Sequence, residues 1–324
     1  MAIIPVVPPL PDSLSFAGKS AVVTGANGGL GLAAALHLVQ RNIATIILAA
    51  KRPETPYSPT PSFKSSPTSP PSSFMSLTLH AHPRSHPSRP KVLAEIPTLN
   101  IVILNAGMGS MDWKLTPEAE TEEVFQVNFL SNAILSVRLL PLLRSSAESS
   151  CETSHLSIVG SRAIVVHSFT KQPVPDTSSV FAFVNDRAHF RALMRYSDSK
   201  LLVSMWVHEL GKHVDPSLVI VNNVCPGMVK TNIDVNQPWW VRRIMGPLRW
   251  LAGRSTEVGA RTLINAISAG KETHGEMLFD FTVWRNKFLE KEQGQKMEKK
   301  VWKETLAAAE TSAPGSVEEA KLRD

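Results

Sequence analysis

The 324-residue sequence predicts an α/β protein, a doubly wound and mostly parallel sheet in a single domain, interrupted by one Pro/Ser-rich segment. Three observations carry that expectation. Short β-branched runs alternate with longer Ala/Leu-rich segments along most of the chain, which is the pattern of repeated strand and crossover helix. A glycine-rich turn joins the first such run to the first helical segment. Apolar residues make up 43% and charged residues 19%, enough to build one large core.

After an arm of residues 1–18 broken by Pro5, Pro8, Pro9 and Pro11, SAVVTG from Ser20 to Gly25 reads as the first strand. GLGLAAALHLVQR follows as a helix, and TIILAA (Thr45 to Ala50) as the second strand. From Pro53 to Pro90 ten prolines and ten serines fill more than half of the positions, a density at which too many backbone N–H groups are missing for a helix. Only FMSLTL (Phe74 to Leu79) reads as a strand there. IVILNAG (Ile101 to Gly107) is a strand ending in a turn, Thr121 to Leu143 a long helix, and HLSIVGS (His155 to Ser161) the next strand. Phe190 to Lys212 reads as a helix, and SLVIVNNVCPG (Ser217 to Gly227) as a strand closed by a Pro-Gly turn. A helix from Thr256, a short strand EMLFDF, a charged helix from Asn286 to Glu310 and a frayed tail TSAPGSVEEAKLRD complete the reading. The expected organisation is an arm (1–18), a catalytic domain (19–285) and a C-terminal helix with tail (286–324).

Charge and cysteine content narrow the function classes. Lys+Arg 34 against Asp+Glu 28 gives +6 with no dense basic run, which suits an anionic cofactor and argues against nucleic acid. Two cysteines, Cys151 and Cys225, build neither a disulfide scaffold nor a four-ligand zinc site, so a reduced cytoplasmic chain without a metal is expected. The N-terminus lacks the basic region of a signal peptide, and no apolar stretch reaches the length of a membrane span; peripheral contact with a membrane remains compatible with the sequence.

TGANGGLG (Thr24 to Gly31) lies between the first strand and the first helix, where a phosphate-binding turn belongs. Gly25 suits the tight turn, Gly29 lets backbone approach a pyrophosphate, and Gly31 allows close helix packing; Thr24, Asn27 and Leu30 complete the turn. Tyr196 and Lys200 are four residues apart, so a helix puts them on one face a turn from each other. A phenol with ordinary pKa near 10 needs a neighbouring cation to work as acid or base near neutrality, and Lys200 is placed to supply it.

The spacing Thr-Gly-x-x-x-Gly-x-Gly resembles the classical short-chain dehydrogenase/reductase family. Asn105-Ala106-Gly107, Asn128 within VNFL, Tyr196-Ser197-Asp198-Ser199-Lys200 and Pro226-Gly227-Met228-Val229-Lys230-Thr231 follow in the family's order. The likeness covers roughly residues 19–271 apart from the proline segment, and is greatest to fungal NADP-dependent members of the retinol-dehydrogenase-like branch. It implies a Rossmann fold and a cofactor site formed by Thr24, Gly25, Asn27, Gly29, Leu30, Gly31, Asn105, Ala106, Gly107, Tyr196, Lys200, Pro226, Gly227, Val229 and Thr231. In such proteins the tyrosine exchanges a proton with the substrate oxygen while the lysine also holds the nicotinamide ribose.

By the same resemblance Ser161, at the end of IVGS, polarises the substrate carbonyl; Ser157 is the competing choice but lies mid-strand, pointing into the sheet layers. An inserted loop marked by Pro173 and Pro175 widens the Ser161–Tyr196 spacing. Asn128 is expected to hold a water linking Lys200 to bulk. At the end of the second strand the run is Leu48-Ala49-Ala50-Lys51-Arg52, without the acid that would bind a 2′-hydroxyl, so NADP(H) is the expected cofactor and Lys51 and Arg52 its phosphate ligands.

Residues 231–253 correspond to the family's substrate lid, and Trp239, Trp240 and Trp250 either line an apolar pocket or pack on the core or a partner. His155, His208 and His213 read as structural or surface residues without metal-ligand spacing or suitable carboxylate partners, and Cys225 as a small buried residue. The proline segment replaces the family's third strand region, putting Thr78 or His80 where an adenine-contacting acid belongs; its ordinary length with altered composition points to a shifted reading frame or a misplaced exon.

The expected reaction interconverts a carbonyl and an alcohol on a small hydrophobic substrate, of the kind tailored in fungal secondary metabolism, in a chain whose long helices are homodimer faces in the family. The alternative is a cofactor-binding or interaction protein whose disrupted segment has impaired catalysis.

Overall fold

Eight strands form one sheet in the order β3-β2-β1-β4-β5-β6-β7-β8. The structure is a computed structural model that describes residues 7–50, 72–76, 96–117, 120–231 and 238–322. The strands are β1 (Ser20–Thr24), β2 (Thr45–Ala50), β3 (Ser72–Ser76), β4 (Ile101–Leu104), β5 (Ser154–Val159), β6 (Val219–Cys225), β7 (Met277–Phe279) and β8 (Thr282–Trp284). All neighbours pair in parallel except β7 with β8. The strand order reverses beside β1, as in a doubly wound sheet, so a crevice opens where β1 and β4 diverge at their C-terminal ends.

Alternation along each strand feeds two cores. Val22, Val102, Leu104, Leu156, Ile158 and Val221 face one layer, built on α2 (Glu123–Ser150), α4 (Arg195–His213) and α7 (Glu292–Ser312). Ala21, Val23, Ile101, Ile103 and Val224 face the other, under α1 (Gly29–Gln40) and α6 (Thr256–Ala266). Strands buried on both faces need apolar residues at nearly every position, and β6 is buried throughout. The described part of the arm joins the second core through Leu10 and Phe16.

Several elements differ from the sequence expectation. β3 begins at Ser72 and pairs Ile46 with Ser72 through Ala50 with Ser76, two residues earlier than Phe74. The matching end of β2 sets that register. α2 extends beyond Leu143 to Ser150, its last turns carrying serine hydroxyls that donate to carbonyls three or four residues back, and it ends on Cys151 in the left-handed region. The inserted loop is partly helical: a 3-10 turn over Arg162–Val166, α3 (Val180–Val184) and a second 3-10 turn over Arg187–His189. α4 accordingly starts at Arg195, after Phe190 in extended backbone. α5 (Trp239–Ala252) and β8 were not foreseen.

The tail does not fray. Residues Ser316–Glu319 form α8, Ala320 and Leu322 are buried in the first core, and the Arg144 guanidinium donates to the Ala320 carbonyl. Two apolar side chains and a buried carbonyl partner give this segment a reason to dock.

Candidate active site

At the C-terminal end of β1 the chain turns sharply through Gly25, whose φ is +66°. The Thr24 hydroxyl accepts hydrogen bonds from the Asn105 and Ala106 N–H groups, both at 3.0 Å, tying the ends of β1 and β4 together. The Asn105 amide donates back to the Thr24 carbonyl at 2.9 Å. A Cβ on Gly31 would stand 2.5 Å from both Asn105 Nδ2 and the Gly25 carbonyl oxygen, so only glycine lets α1 begin this close to the turn. No side chain caps α1 and no acid lies in its first turn, which leaves its N-terminal N–H groups and positive dipole end for an anion. These residues fit a dinucleotide pyrophosphate.

A Cβ on Gly29 would lie 3.7 Å from Thr231 Cγ2, so the Pro-Gly turn after β6 comes back over the glycine turn. Leu30 and Val229 are buried against Gly259 of α6 and form the wall of this cleft, while Asn27 is exposed at its tip. Arg254 holds the Pro226-Gly227 turn from beneath, donating to the Pro226 carbonyl at 3.3 Å and pairing with Asp280 at 2.5 Å. Nothing in the spacing of the sequence marks Arg254. Lys51, Arg52, Thr78 and His80, expected around the adenosine half, lie outside the described residues, as do Tyr57 and most of the proline segment.

The signature helix α4 brings Tyr196 and Lys200 to the ends of β4 and β5. Lys200 is buried, and its Nζ donates to the Val159 carbonyl at 2.7 Å, two residues before Ser161. The same nitrogen lies 5.9 Å from the centroid of the Tyr196 ring. Burial lowers the Lys200 pKa from 10.5 to about 8, with a smaller opposing effect from Cys225. The Cys225 thiol is itself pushed up by burial, consistent with a small packed residue rather than a nucleophile. Its sulfur accepts from the Arg162 N–H at 3.2 Å and so links the end of β6 to the residue after Ser161.

Ser161 caps the 3-10 turn over Arg162–Val166: its Oγ accepts from the Ala163 N–H at 3.1 Å, which leaves the hydroxyl hydrogen to donate elsewhere. Ser157, by contrast, is fully buried in β5. The loop after Ser161 is anchored by Ser168, whose N–H and hydroxyl both donate to Asp198, at 2.6 and 2.8 Å. Burial raises the Asp198 pKa, opposed by the two Ser168 bonds and by Arg195. The second variable position of the YxxxK signature thus holds the serine loop, a role invisible without the fold.

Asn128 sits in a π-helical turn, Gln126–Leu130, that interrupts α2. Its Oδ1 accepts from the Met108 N–H at 2.7 Å, and its Nδ2 donates to the Met108 carbonyl at 2.8 Å and to Ser199 Oγ at 3.0 Å. Ser199 in turn donates to the Tyr196 carbonyl at 2.8 Å. The Asn128 side chain therefore fixes α4 against the turn after β4, close to Gly107 and Lys200.

The three histidines have structural roles, but two of them have the carboxylate partners the sequence did not suggest: His213 lies 3.6 Å from Glu209, and His208 has two beside it. For His208, α7 brings Glu298 to 2.7 Å and Glu209 is adjacent. The Lys212 ammonium donates to both carboxylates, so an internal cation already serves that cluster. His213 stacks on Trp302 and His155 is half-buried at the sheet, its pKa lowered to about 4 by desolvation and then by Lys19.

Residues 19–159 match the model of the family described as short chain dehydrogenase. The chain is 33% identical over 310 residues to the short-chain dehydrogenase/reductase tropG of Talaromyces stipitatus, covering 93% of this chain and 94% of that protein. It is 34% identical over 320 residues to the short chain dehydrogenase macD of Penicillium terrestre, with coverage of 93% and 94%. Among solved structures, an uncharacterised protein from Mycobacterium paratuberculosis superposes with a TM-score of 0.63 at 19% identity, covering 93% of this chain and 95% of that one.

Proposed function

The chain belongs to the short-chain dehydrogenase family of oxidoreductases, and on that premise we propose that it interconverts a carbonyl and an alcohol on a small hydrophobic substrate using NADP(H). The observation that carries the reading is the buried Lys200 ammonium, held on the Val159 carbonyl one helical turn from the Tyr196 phenol. When bound, the nicotinamide would supply or accept the hydride. The glycine turn and the uncapped end of α1 would hold its pyrophosphate, and Lys200 its ribose.

Tyr196 donates its phenolic proton to the substrate oxygen in the reducing direction and takes it back in the oxidising one. Lys200 stabilises the phenolate left behind, since a positive charge a few ångströms away favours the ionised phenol. The Ser161 hydroxyl, held by its own cap, points its free hydrogen at the carbonyl oxygen and stabilises the charge that develops there. Asn128 keeps α4 in register through Ser199. The Asn128 side-chain amide is committed to Met108 and Ser199 and its main-chain carbonyl accepts from Asn132, so its part in the reaction is to hold α4 and the turn after β4 in place.

Support for NADP(H) over NAD(H) rests on Lys51-Arg52 and the lack of an acid at the end of β2. An NADPH-rich cytoplasm makes reduction the working direction, and fungal relatives are in keeping with a tailoring step in secondary metabolism. The test is Tyr196→Phe: kcat with hydrophobic ketones and aldehydes falls by about 10²–10⁴ while NADPH binding, read by fluorescence, stays at the parental level. Equal turnover by parent and variant would remove Tyr196 from the chemistry.

A further inference from the structure

We propose that α5 is a docking helix for an anionic lipid bilayer. Its outer face presents Trp239 at 74% exposure, Trp250 at 71% and Leu251 at 72%, with Trp240 and Pro247 beside them. The remaining tryptophans, Trp113, Trp206, Trp284 and Trp302, are buried or half-buried. At helical spacing the exposed positions fall on one contiguous arc. Trp239, Arg243 and Trp250 run along one line, and Trp240, Pro247 and Leu251 along the next. Of the roles expected for these tryptophans, packing into the core is not seen for Trp239 and Trp250, whose rings stand exposed.

This face is held outward by a fixed base. Val229 bridges to Arg254, the Lys230 N–H donates to the Arg254 carbonyl, and the Arg254 N–H donates to the Met228 carbonyl at 2.8 Å. Arg254 is itself anchored on Asp280 and Pro226. The two ends of the 231–253 excursion are thus clamped side by side, while exposed Met228 and Lys230 continue the surface at its foot. Lys230 Nζ lies 5.9 Å from the Trp250 ring centroid.

Charge selects the occupant. Residues 238–251 contain Arg242, Arg243 and Arg249 and no Asp or Glu, while Arg254, buried and paired with Asp280, is not part of the face. A second copy of this chain docked symmetrically would set the same surface against itself, arginine facing arginine with no acid to pair it. A bilayer with anionic headgroups offers what the face lacks: phosphates for Arg243 and Lys230, and an interfacial layer in which indole rings sit with their N–H groups among the headgroups. The helix has 14 residues, so it lies along such a surface rather than crossing it. Glu123–Ser150, the one longer apolar helix among the described residues, is mostly buried in the core and takes no part.

The docking surface is independent of the proposed reaction. Its test is flotation of the full chain with vesicles of phosphatidylcholine containing phosphatidylserine, against vesicles of phosphatidylcholine alone, at low and high salt. Expected are flotation with the anionic vesicles, loss at high salt, and an unchanged melting temperature for all variants. The double variant Trp239→Ser/Trp250→Ser lowers the partition coefficient by roughly tenfold or more. Arg243→Glu lowers it by about fivefold or more. Failure of the parent to float, or equal flotation of parent and variants, overturns the proposal. So does a concentration-dependent dimer that the same substitutions abolish, which would assign the face to a second copy.

Discussion

The buried Lys200 ammonium donates to the Val159 carbonyl, and burial has brought its pKa down to about 8. Below that pH the ammonium is present and supports the Tyr196 phenolate; above it the charge is lost. Carbonyl reduction, followed as kcat/KM with NADPH saturating, is therefore expected to fall as pH rises through about 8, and Lys200→Met to lower the rate and remove that limb. Stability moves in the opposite direction. Between about 8 and the ordinary 10.5 the unfolded chain holds a proton that the folded chain has released, so the Lys200 contribution to stability rises with pH there and is absent below it. Tyr196 and Lys200 were legible in the sequence because four residues on a helix set their relation locally. Ser161 was legible only through resemblance. The partners of Asn128, Asp198 and Arg254 come from 20 to 30 residues away or more, and no local spacing encodes them.

Among the elements, the inserted loop between β5 and α4 shows how a variable segment can be kept from disturbing a site. Its first turn is capped by Ser161, its middle is held by Ser168 on Asp198, and α3 is capped from α7, where Glu304 accepts from Ser179 Oγ, Val180 N–H and Phe181 N–H at 2.7 to 2.8 Å. Ser168→Ala removes both the hydroxyl partner and some of the order of this loop, leaving a buried carboxylate short of a donor. It is expected to cost about 1–3 kcal/mol of stability and to raise KM for the carbonyl substrate while NADPH affinity is unchanged. A calorimetric scan together with steady-state kinetics checks it; a variant altered in cofactor affinity alone would contradict the anchoring role. β1, β2, β4, β5 and β6 were legible because burial on both faces demands continuous apolar runs, whereas β8, largely exposed, carries no such run. α5 was not, since Gly246 and Pro247 inside it weaken the helical signal of a segment expected only as a lid. The tail misled because composition says nothing of Ala320 and Leu322 finding a place beside Arg144.

At the scale of the whole molecule, the sheet is closed on one face by residues far apart in sequence. Trp302 of α7 stacks on Trp206 of α4 at 5.0 Å, and the segment after it covers α2. Leu322→Ala is expected to lower stability by about 2–5 kcal/mol, seen as a lower thermal midpoint, with little effect on the kinetics of molecules that remain folded. A midpoint equal to that of the parent would mean that the tail only rests on the surface. The same closure sets an order of events during synthesis. All of β1 to β6 can emerge and pair while the surface around Trp206, Leu210 and Val214 is still bare, and the N-terminus of α3 has only its own Ser179 cap until Glu304 is made. The nascent chain therefore carries an open apolar seam through the synthesis of about a third of its length, the interval in which a chaperone would be needed and a stalled ribosome would leave an aggregating product.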